Sequence, residues 1–195
     1  MAGRWRRCLG ERGGAFLLGA VVAVAVIAAV IGGEAALSST AFCTSCHSMS
    51  YPAAELKKST HYGALGADPG CKDCHVPQGL ENFHWAVATH VVDGAREIVL
   101  ELRHDYSDVA KFNARRLEMA HYARMNLKRW DSVTCRACHK GPRPPGQSAR
   151  SAHDTMLTRG ATCIDCHQNL VHKQVAETDL DASLAQGAMV LKKGE

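Results

Sequence analysis

The sequence predicts a mostly α-helical protein with extensive loops, made of a single N-terminal transmembrane helix and one compact domain. Residues 13–33 form a run of 21 residues without a charge. Residues 80–130 contain no proline and carry apolar residues at mixed spacings of three and four, as at Val87, Val91 and Ile98. No stretch shows the alternation that is typical of β-strands. The chain length of 195 residues leaves room for one domain beside the membrane helix.

The uncharged run is long enough to cross a bilayer, because a helix rises about 1.5 Å per residue and the hydrocarbon core is about 30 Å thick. The preceding segment reads MAGRWRRCLGERGG, with four arginines against one acid. By the positive-inside rule the N-terminus is then cytoplasmic, which puts the following domain in the periplasm of a bacterial inner membrane. Two alternatives fit less well. The apolar region of a cleaved signal peptide is shorter, about 7–15 residues, and a buried soluble helix does not explain the asymmetric charge.

These features divide the chain into four predicted segments. The cytoplasmic N-terminus covers 1–14, and the transmembrane signal anchor covers 15–36. The periplasmic domain covers 37–175, with a loop expected at 141–146 from the sequence GPRPPG. The polar segment 176–195 is expected to be a flexible tail.

Eight of the nine cysteines fall into four C-x-x-C pairs, and a histidine follows each pair. The motifs read CTSCH, CKDCH, CRACH and CIDCH, and they begin at residues 43, 71, 135 and 163. The paired cysteines are Cys43, Cys46, Cys71, Cys74, Cys135, Cys138, Cys163 and Cys166. Such regular spacing argues against a disulfide framework. The C-x-x-C-H pattern is typical of covalent attachment of c-type haem.

The chemistry of haem attachment explains this spacing. Each cysteine forms a thioether with one vinyl group of the porphyrin, and the adjacent histidine then lies under the ring as an iron ligand. Zinc ribbons do not require a histidine after every pair, and no βαβ pattern supports a thioredoxin-like site. We therefore expect four covalent haems c and a haem-dominated core. Such a core suits a chain with only 6% aromatic residues.

The overall charge of +4 does not indicate a nucleic-acid partner, because the basic residues are scattered and no stacking aromatics lie among them.

The histidines of the chain are candidate ligands of haem iron. His47, His75, His139 and His167 belong to the motifs, and seven others remain as possible second axial ligands. Met49 follows the first motif by two residues, and a thioether sulfur can also bind haem iron.

The segments CTSCHSM, STHYGALGADPGCKDCHVP, KFNARRLEMA, CRACH and TCIDCHQNLVH resemble, in this order, the NapC/NirT family of tetrahaem quinol dehydrogenases. That family includes the small subunit of cytochrome c nitrite reductase. The resemblance extends from the anchor to His172. It implies that Met49 binds the iron of haem 1 and leaves the other face open beside a quinol pocket, with His47 as a further possible ligand. It also implies that His61 is the distal ligand of haem 4 and that His172 is the distal ligand of haem 3.

The sequence departs from the family pattern at two places. The family has a lysine and then an acid after CHVP, whereas this chain has no lysine between Lys72 and Lys111. His84, His90 and Asp93 occupy that stretch and are the candidate quinol-site residues, with Asp93 in the role of the family's acid. The family's FEAHR segment is replaced by FNARR, so an expected histidine is absent. The second ligand of haem 2 is therefore open: His104, His121, His153 or a residue of a partner protein.

The function that these features predict is oxidation of a membrane quinol, either menaquinol or ubiquinol, with transfer of electrons to a periplasmic reductase or cytochrome in nitrate- or nitrite-type respiration. The first motif begins ten residues after Gly33, a distance of at most about 33–36 Å, so haem 1 is expected near the lipid bilayer. Two other functions are possible. One is direct reduction of a small nitrogen or sulfur oxyanion, although no dense cluster of Arg, Lys and Tyr suits it. The other is passive anchoring of other cytochromes.

Overall fold

A computed structural model of the chain describes residues 2–141 and 143–193, with side chains described from residue 13 onward except that of Leu157. Pro142 of the predicted loop, the last two residues of the predicted tail and the side chains of the arginine-rich flank thus lie outside the described part. The helices in that part are α1 (Ala2–Leu37), α2 (Thr40–Cys43), α3 (Ser50–Leu56), α4 (Cys71–His75), α5 (Phe83–Ala88), α6 (Gly94–Arg103), α7 (Val109–Ala114), α8 (Arg116–Arg129), α9 (Val133–Cys138), α10 (Gln147–Arg159), α11 (Cys163–Cys166) and α12 (Leu180–Gln186). This composition confirms the predicted mostly α-helical class. The β-structure found among these residues is a single isolated bridge between Thr178 and Leu191.

The chain forms two compact units, Met1–Leu37 and Ser38–Glu195. In the first unit, Gly13–Leu37 is long and apolar enough to cross a membrane, with a mean hydropathy of 2.8 over its most apolar window. Its apolar side chains are exposed on every side of the helix. A soluble surface helix buries one apolar stripe, so exposure on all sides is the pattern of a lipid-facing helix.

In the second unit, short helices carry the cysteine motifs. Two of them are capped by an aspartate that belongs to the motif itself. Asp73 Oδ2 accepts a hydrogen bond from Gly70 N at 2.7 Å, and Asp165 Oδ2 accepts one from Thr162 N at 2.7 Å. A side-chain acceptor at the third helical position satisfies a backbone donor ahead of the helix. The CKDCH and CIDCH sequences therefore start their own helical turns.

Helix α8 is the scaffold of this unit, and it packs against α7, α11 and α12. Its Met125 forms a buried apolar cluster with Ile164 of the fourth motif and Leu180 of α12. Other buried large side chains are spread along the chain, at Leu56, Tyr106, Phe112 and Trp130. The apolar core of this unit is therefore scattered in small clusters, as its few aromatic residues lead one to expect.

The structure differs from the predicted flexible tail, 176–195. The side-chain amide of Gln168 binds both backbone groups of Thr178. Its Oε1 accepts from the N–H of Thr178 at 2.9 Å, and its Nε2 donates to the carbonyl of Thr178 at 2.7 Å. Leu180 is 2% exposed and packs against Ile164. The polar composition of this segment concealed the fact that its few apolar side chains complete the core. Within the described residues, the segment is an ordered part of the second unit.

Candidate haem-binding sites

The four motifs lie in contact, in the same order as in the sequence. The thiols of Cys43 and Cys71 share a hydrogen bond that raises the pKa of the first and lowers that of the second. Burial, and then the nearby Cys135, raise the pKa of Cys74 to about 11. Burial, and then the nearby Cys163, raise the pKa of Cys135. Helix α2 of the first motif also packs against α4 of the second, and α4 packs against α9 of the third. In the fourth motif, Ile164 N donates to the hydroxyl of Ser132, the residue before α9, at 3.2 Å. Motifs that are neighbours in the sequence are therefore neighbours in the fold.

All eight motif cysteines are free thiols in the structure. The disulfide framework that the regular spacing argued against is absent from the described residues, and both thiols of each motif can form thioethers. Cys8, the ninth cysteine, lies among the residues whose side chains are not described. The eight thiols match two thioether bonds for each of four haems.

Three motif histidines each face a second histidine at nearly the same distance. The ring centroids are 6.1 Å apart for His75 and His172, 6.1 Å for His153 and His167, and 6.4 Å for His61 and His139. Metal–imidazole bonds of about 2 Å on each side of an ion, with about 1 Å from each nitrogen to its ring centre, require about 6 Å. The three pairs therefore fit the spacing of two axial ligands on one iron.

The partner histidines also carry an unsatisfied polar atom. The Nδ1 atoms of His61, His153 and His172 are buried and have no hydrogen-bond partner in the described part of the chain. A buried polar group without a partner costs about 1–3 kcal/mol, and such groups in native proteins commonly mark a redox or ion site. The residues present thus fit haem iron between paired imidazoles.

These pairs differ from those implied by the resemblance. His61 lies beside His139 of the third motif, and the family resemblance implied the iron of the fourth. His172 lies beside His75 of the second motif, and the resemblance implied the third. His153, which was one of several open candidates for haem 2, faces His167 of the fourth motif. The chain order of the histidines does not reveal these pairs, because they form only when distant segments pack together.

Among the described residues the first motif lacks such a pair, and its two candidate ligands share one short turn. His47 and Met49 are the ends of a 3-10 turn, with Ser48 buried between them. Ser48 donates to the Glu101 carboxylate of α6 from both its backbone N–H, at 3.3 Å, and its hydroxyl, at 2.5 Å. Glu101 therefore fixes the turn that carries both side chains. Nothing in the sequence pattern had drawn attention to Glu101.

The three candidate quinol-site residues lie along one helical segment but have different neighbours. Asp93 accepts hydrogen bonds from Tyr122 Oη at 2.5 Å and from Asn126 Nδ2 at 2.9 Å, both on α8. His90 Nε2 lies 3.4 Å from the hydroxyl of Ser38, and its Nδ1 lies 2.9 Å from the Ala86 carbonyl. His84 is exposed and its ring contacts that of Trp85. The structure therefore fixes Asp93 and His90 in place and leaves His84 on the surface.

A buried ion pair that the sequence did not reveal holds the region of His172. Arg116 donates to both oxygens of Glu55 at 2.9 and 2.7 Å and lies over the ring of Phe112. Glu55 Oε2 also accepts from Lys173 N at 3.0 Å and lies 3.6 Å from His172 Nδ1. A carboxylate beside the ring of a ligating histidine orients that ring. Arg116 had stood out only as part of a segment that departs from the family pattern.

The remaining histidines lie outside these pairs. His104 contacts Arg115 and Tyr106. His121 lies on α8, where burial, followed by the nearby Arg124 and Arg129, lowers its pKa. His104 is therefore placed in other contacts, whereas the Nδ1 atom of His121 is buried without a hydrogen-bond partner among the described residues.

Comparison with known proteins identifies the family of the chain. The family described as NapC/NirT cytochrome c family, N-terminal region, matches residues 10–177. A probable tetraheme cytochrome c-type protein of Nitrosomonas europaea is 69% identical over 179 residues, which cover 92% of this chain and 77% of that protein. The denitrification system component NirT of Stutzerimonas stutzeri is 30% identical over 171 residues, covering 80% and 82%.

A third relative is longer than this chain. The cytochrome c-type protein TorY of Haemophilus influenzae is 36% identical over 140 residues, which cover 69% of this chain and 37% of that protein. No solved structure matches the chain. The family match covers the apolar helix and all four motifs. The chain belongs to the NapC/NirT cytochrome c family of membrane-anchored electron-transfer proteins, and its eight motif cysteines attach four haems c.

Proposed function

We propose that the chain oxidises a membrane quinol on the periplasmic side of a bacterial inner membrane and delivers the electrons to a periplasmic reductase. The observation that carries this proposal is that the four motifs are neighbours in chain order, beginning at Cys43, six residues after the apolar helix ends at Leu37. When bound, the haems supply one-electron redox chemistry. Because the first of the four sites follows the anchor directly in the sequence, the series suits transfer of electrons away from the membrane.

The paired histidines would hold three of the irons. His172 would complete the site of His75, His61 that of His139, and His153 that of His167. Each ring is carried by a different part of the chain from its partner, so binding of the haems also links these segments. Glu55 and Arg116 would fix the loop that presents His172.

The first site would be held by Met49, with His47 as the alternative ligand on the same turn. The bonds from Ser48 to Glu101 support this role, because they join the turn to α6, the helix that directly follows Asp93. The candidate ligand of haem 1 and the candidate proton acceptor are therefore held by the same helical segment.

Quinol oxidation yields a quinone, two electrons and two protons, so the site needs proton acceptors. Asp93 is suited to this role, since Tyr122 and Asn126 orient its carboxylate. Burial, and then the hydrogen bond to Asp93, raise the pKa of Tyr122, so the phenol stays protonated and remains a donor. His90 is a second candidate because an imidazole can accept a proton, and the exposed His84 is a third.

Orientation and partner follow from the sequence and the relatives. The arginines before Gly13 favour a cytoplasmic N-terminus, and the haem domain would then be periplasmic. The relative from Stutzerimonas stutzeri is named as a component of a denitrification system. This name supports a respiratory reductase as the partner that receives the electrons.

The test compares Asp93→Asn with a matched control, Asp68→Asn, which changes an exposed aspartate outside the site. Both purified variants should carry four haems and be reduced fully by dithionite. With a menaquinol or ubiquinol analogue, Asp93→Asn should be reduced at least about 100-fold more slowly, because a positioned general base contributes about 10²–10⁴ in rate. Asp68→Asn should match the wild type.

The histidines extend this test. If Asp93→Asn and the double variant His84→Ala/His90→Ala are both reduced by quinol at the wild-type rate, the quinol site lies elsewhere. If none of these proteins is reduced by quinol, including the wild type, while dithionite reduces them all, quinol oxidation itself is refuted.

A further inference from the structure

The segment from Phe83 to Arg103 forms one continuous helix. Helix α5 passes into a π-helical turn at Thr89–Asp93, and α6 follows without a break in helical backbone angles, since Asp93 and Gly94 have φ values of −72° and −60°. We call this segment the 83–103 helix. Its residues from Trp85 to Leu102 span about 27 Å at about 1.5 Å per residue.

The polar face of the 83–103 helix is turned toward the protein. Asp93 binds Tyr122 and Asn126 of α8. Arg96 lies 3.8 Å from the centre of the Tyr122 ring, and Glu101 binds Ser48. A soluble surface helix normally turns its charged side chains to water, but Asp93, Arg96 and Glu101 are here used for contacts within the domain.

The apolar face of the same helix is exposed. Its side chains recur at helical spacing and form one stripe, and we call it the apolar stripe: Val91, Val92, Ile98, Val99 and Leu102. Val91 is 65% exposed and Leu102 is 83% exposed. This arrangement is the inverse of that in a soluble surface helix, which buries its apolar stripe. A contiguous exposed apolar patch marks a surface for a protein or membrane partner.

The position of the helix indicates which partner covers it. His90 contacts Ser38, the first residue after the apolar segment Gly13–Leu37. The 83–103 helix is thus attached at the point where the chain leaves the membrane-spanning segment. Trp85, at the start of the helix, is a residue type enriched at membrane–water interfaces. The helix is therefore held close to the point where the chain enters the bilayer, and its exposed face is apolar. Both features favour a lipid surface as the partner of this face.

We propose that the apolar stripe of the 83–103 helix lies in the interfacial region of the bilayer, as a second membrane contact beside the anchor. Interfacial amphipathic helices bury their apolar face about 5–10 Å into the boundary between headgroups and acyl chains. A single transmembrane helix leaves the attached domain free to rotate. A second contact along the 83–103 helix fixes the domain with α5 and α6 against the membrane.

The test uses the full holoprotein, reconstituted as one copy per lipid nanodisc with a phospholipid that carries a photoreactive diazirine in its acyl chain. Trypsin releases the C-terminal part of the stripe, which carries Ile98, Val99 and Leu102, as the peptide 97–103. It releases the matched control, from the exposed helix α10, as the peptide 151–159. Mass spectrometry then counts lipid adducts on each peptide. We expect at least about fivefold more adducts on 97–103, because only that peptide faces the acyl chains.

The double variant Ile98→Gln/Leu102→Gln keeps the acids of the peptide and changes only exposed side chains. It should retain four haems by absorbance, and its labelling of 97–103 should fall toward that of 151–159. Equal labelling of the two wild-type peptides would overturn the proposal, and so would labelling of 97–103 that the double variant leaves unchanged. Cross-links between stripes in nanodiscs with two copies, without lipid adducts, would assign the surface to a second copy instead. None of these readouts uses quinol, so they are independent of the proposed function.

Discussion

Replacement of Leu180 by alanine tests whether the C-terminal segment is part of the folded core. Leu180 is 2% exposed and packs on Met125 and Ile164. Removing a leucine side chain from such a site costs about 2–5 kcal/mol, since both the transfer free energy and a cavity term are lost. For a domain of this size each kcal/mol lowers the melting temperature by about 2–4 °C. The expected decrease is therefore roughly 4–20 °C.

Leu184 provides the matched control, because it lies on the same helix and is 43% exposed. Leu184→Ala should change stability by no more than about 0.5 kcal/mol. Thermal unfolding of the two holoproteins, followed by far-UV circular dichroism, measures the difference. Limited proteolysis of the folded proteins should also cut the C-terminal segment faster in Leu180→Ala. If the two variants melt within 1–2 °C of each other, about the precision that this comparison requires, the segment does not stabilise the domain and the contact with Ile164 is unimportant.

Three further predictions concern the haems and their support. The holoprotein should exceed the polypeptide mass by four haems and retain them in acid-acetone, and a smaller number or bound zinc would contradict the motif assignment. His172→Ala should convert one low-spin haem to high spin in the EPR spectrum, because His172 is the residue that faces the second motif. The control His104→Ala should leave the spectrum unchanged. The opposite result would make His104, and not His172, the iron ligand. Glu55→Ala should destabilise the protein by about 3–5 kcal/mol in thermal unfolding, since it leaves the buried Arg116 without its partner; an unchanged melting temperature would show that this ion pair is not needed.

Features of the chain that depend on neighbouring residues could be predicted from the sequence. The four C-x-x-C-H motifs define the number of haems, because both thioethers and the motif histidine come from five consecutive residues. The apolar run defines the anchor for the same reason, since length and composition alone decide whether a helix can cross a bilayer. The proline-free stretch 80–130 is confirmed as helical by α5 to α8.

Features that depend on long-range packing required the tertiary structure. His61 meets His139, and His172 meets His75, only because loops and helices far apart in the chain fold against each other, and local patterns carry no information on such contacts. The same holds for Asp93, whose partners lie 29 and 33 residues away on α8. The polar composition of the C-terminal segment predicted a flexible tail. Leu180 is nevertheless buried against α8 and the fourth motif, and Thr178 is buried and hydrogen-bonded to Gln168. Sequence alone thus determined which cofactor the chain carries, whereas the fold decided which side chains meet around it, since covalent attachment is a local property and side-chain pairing is not.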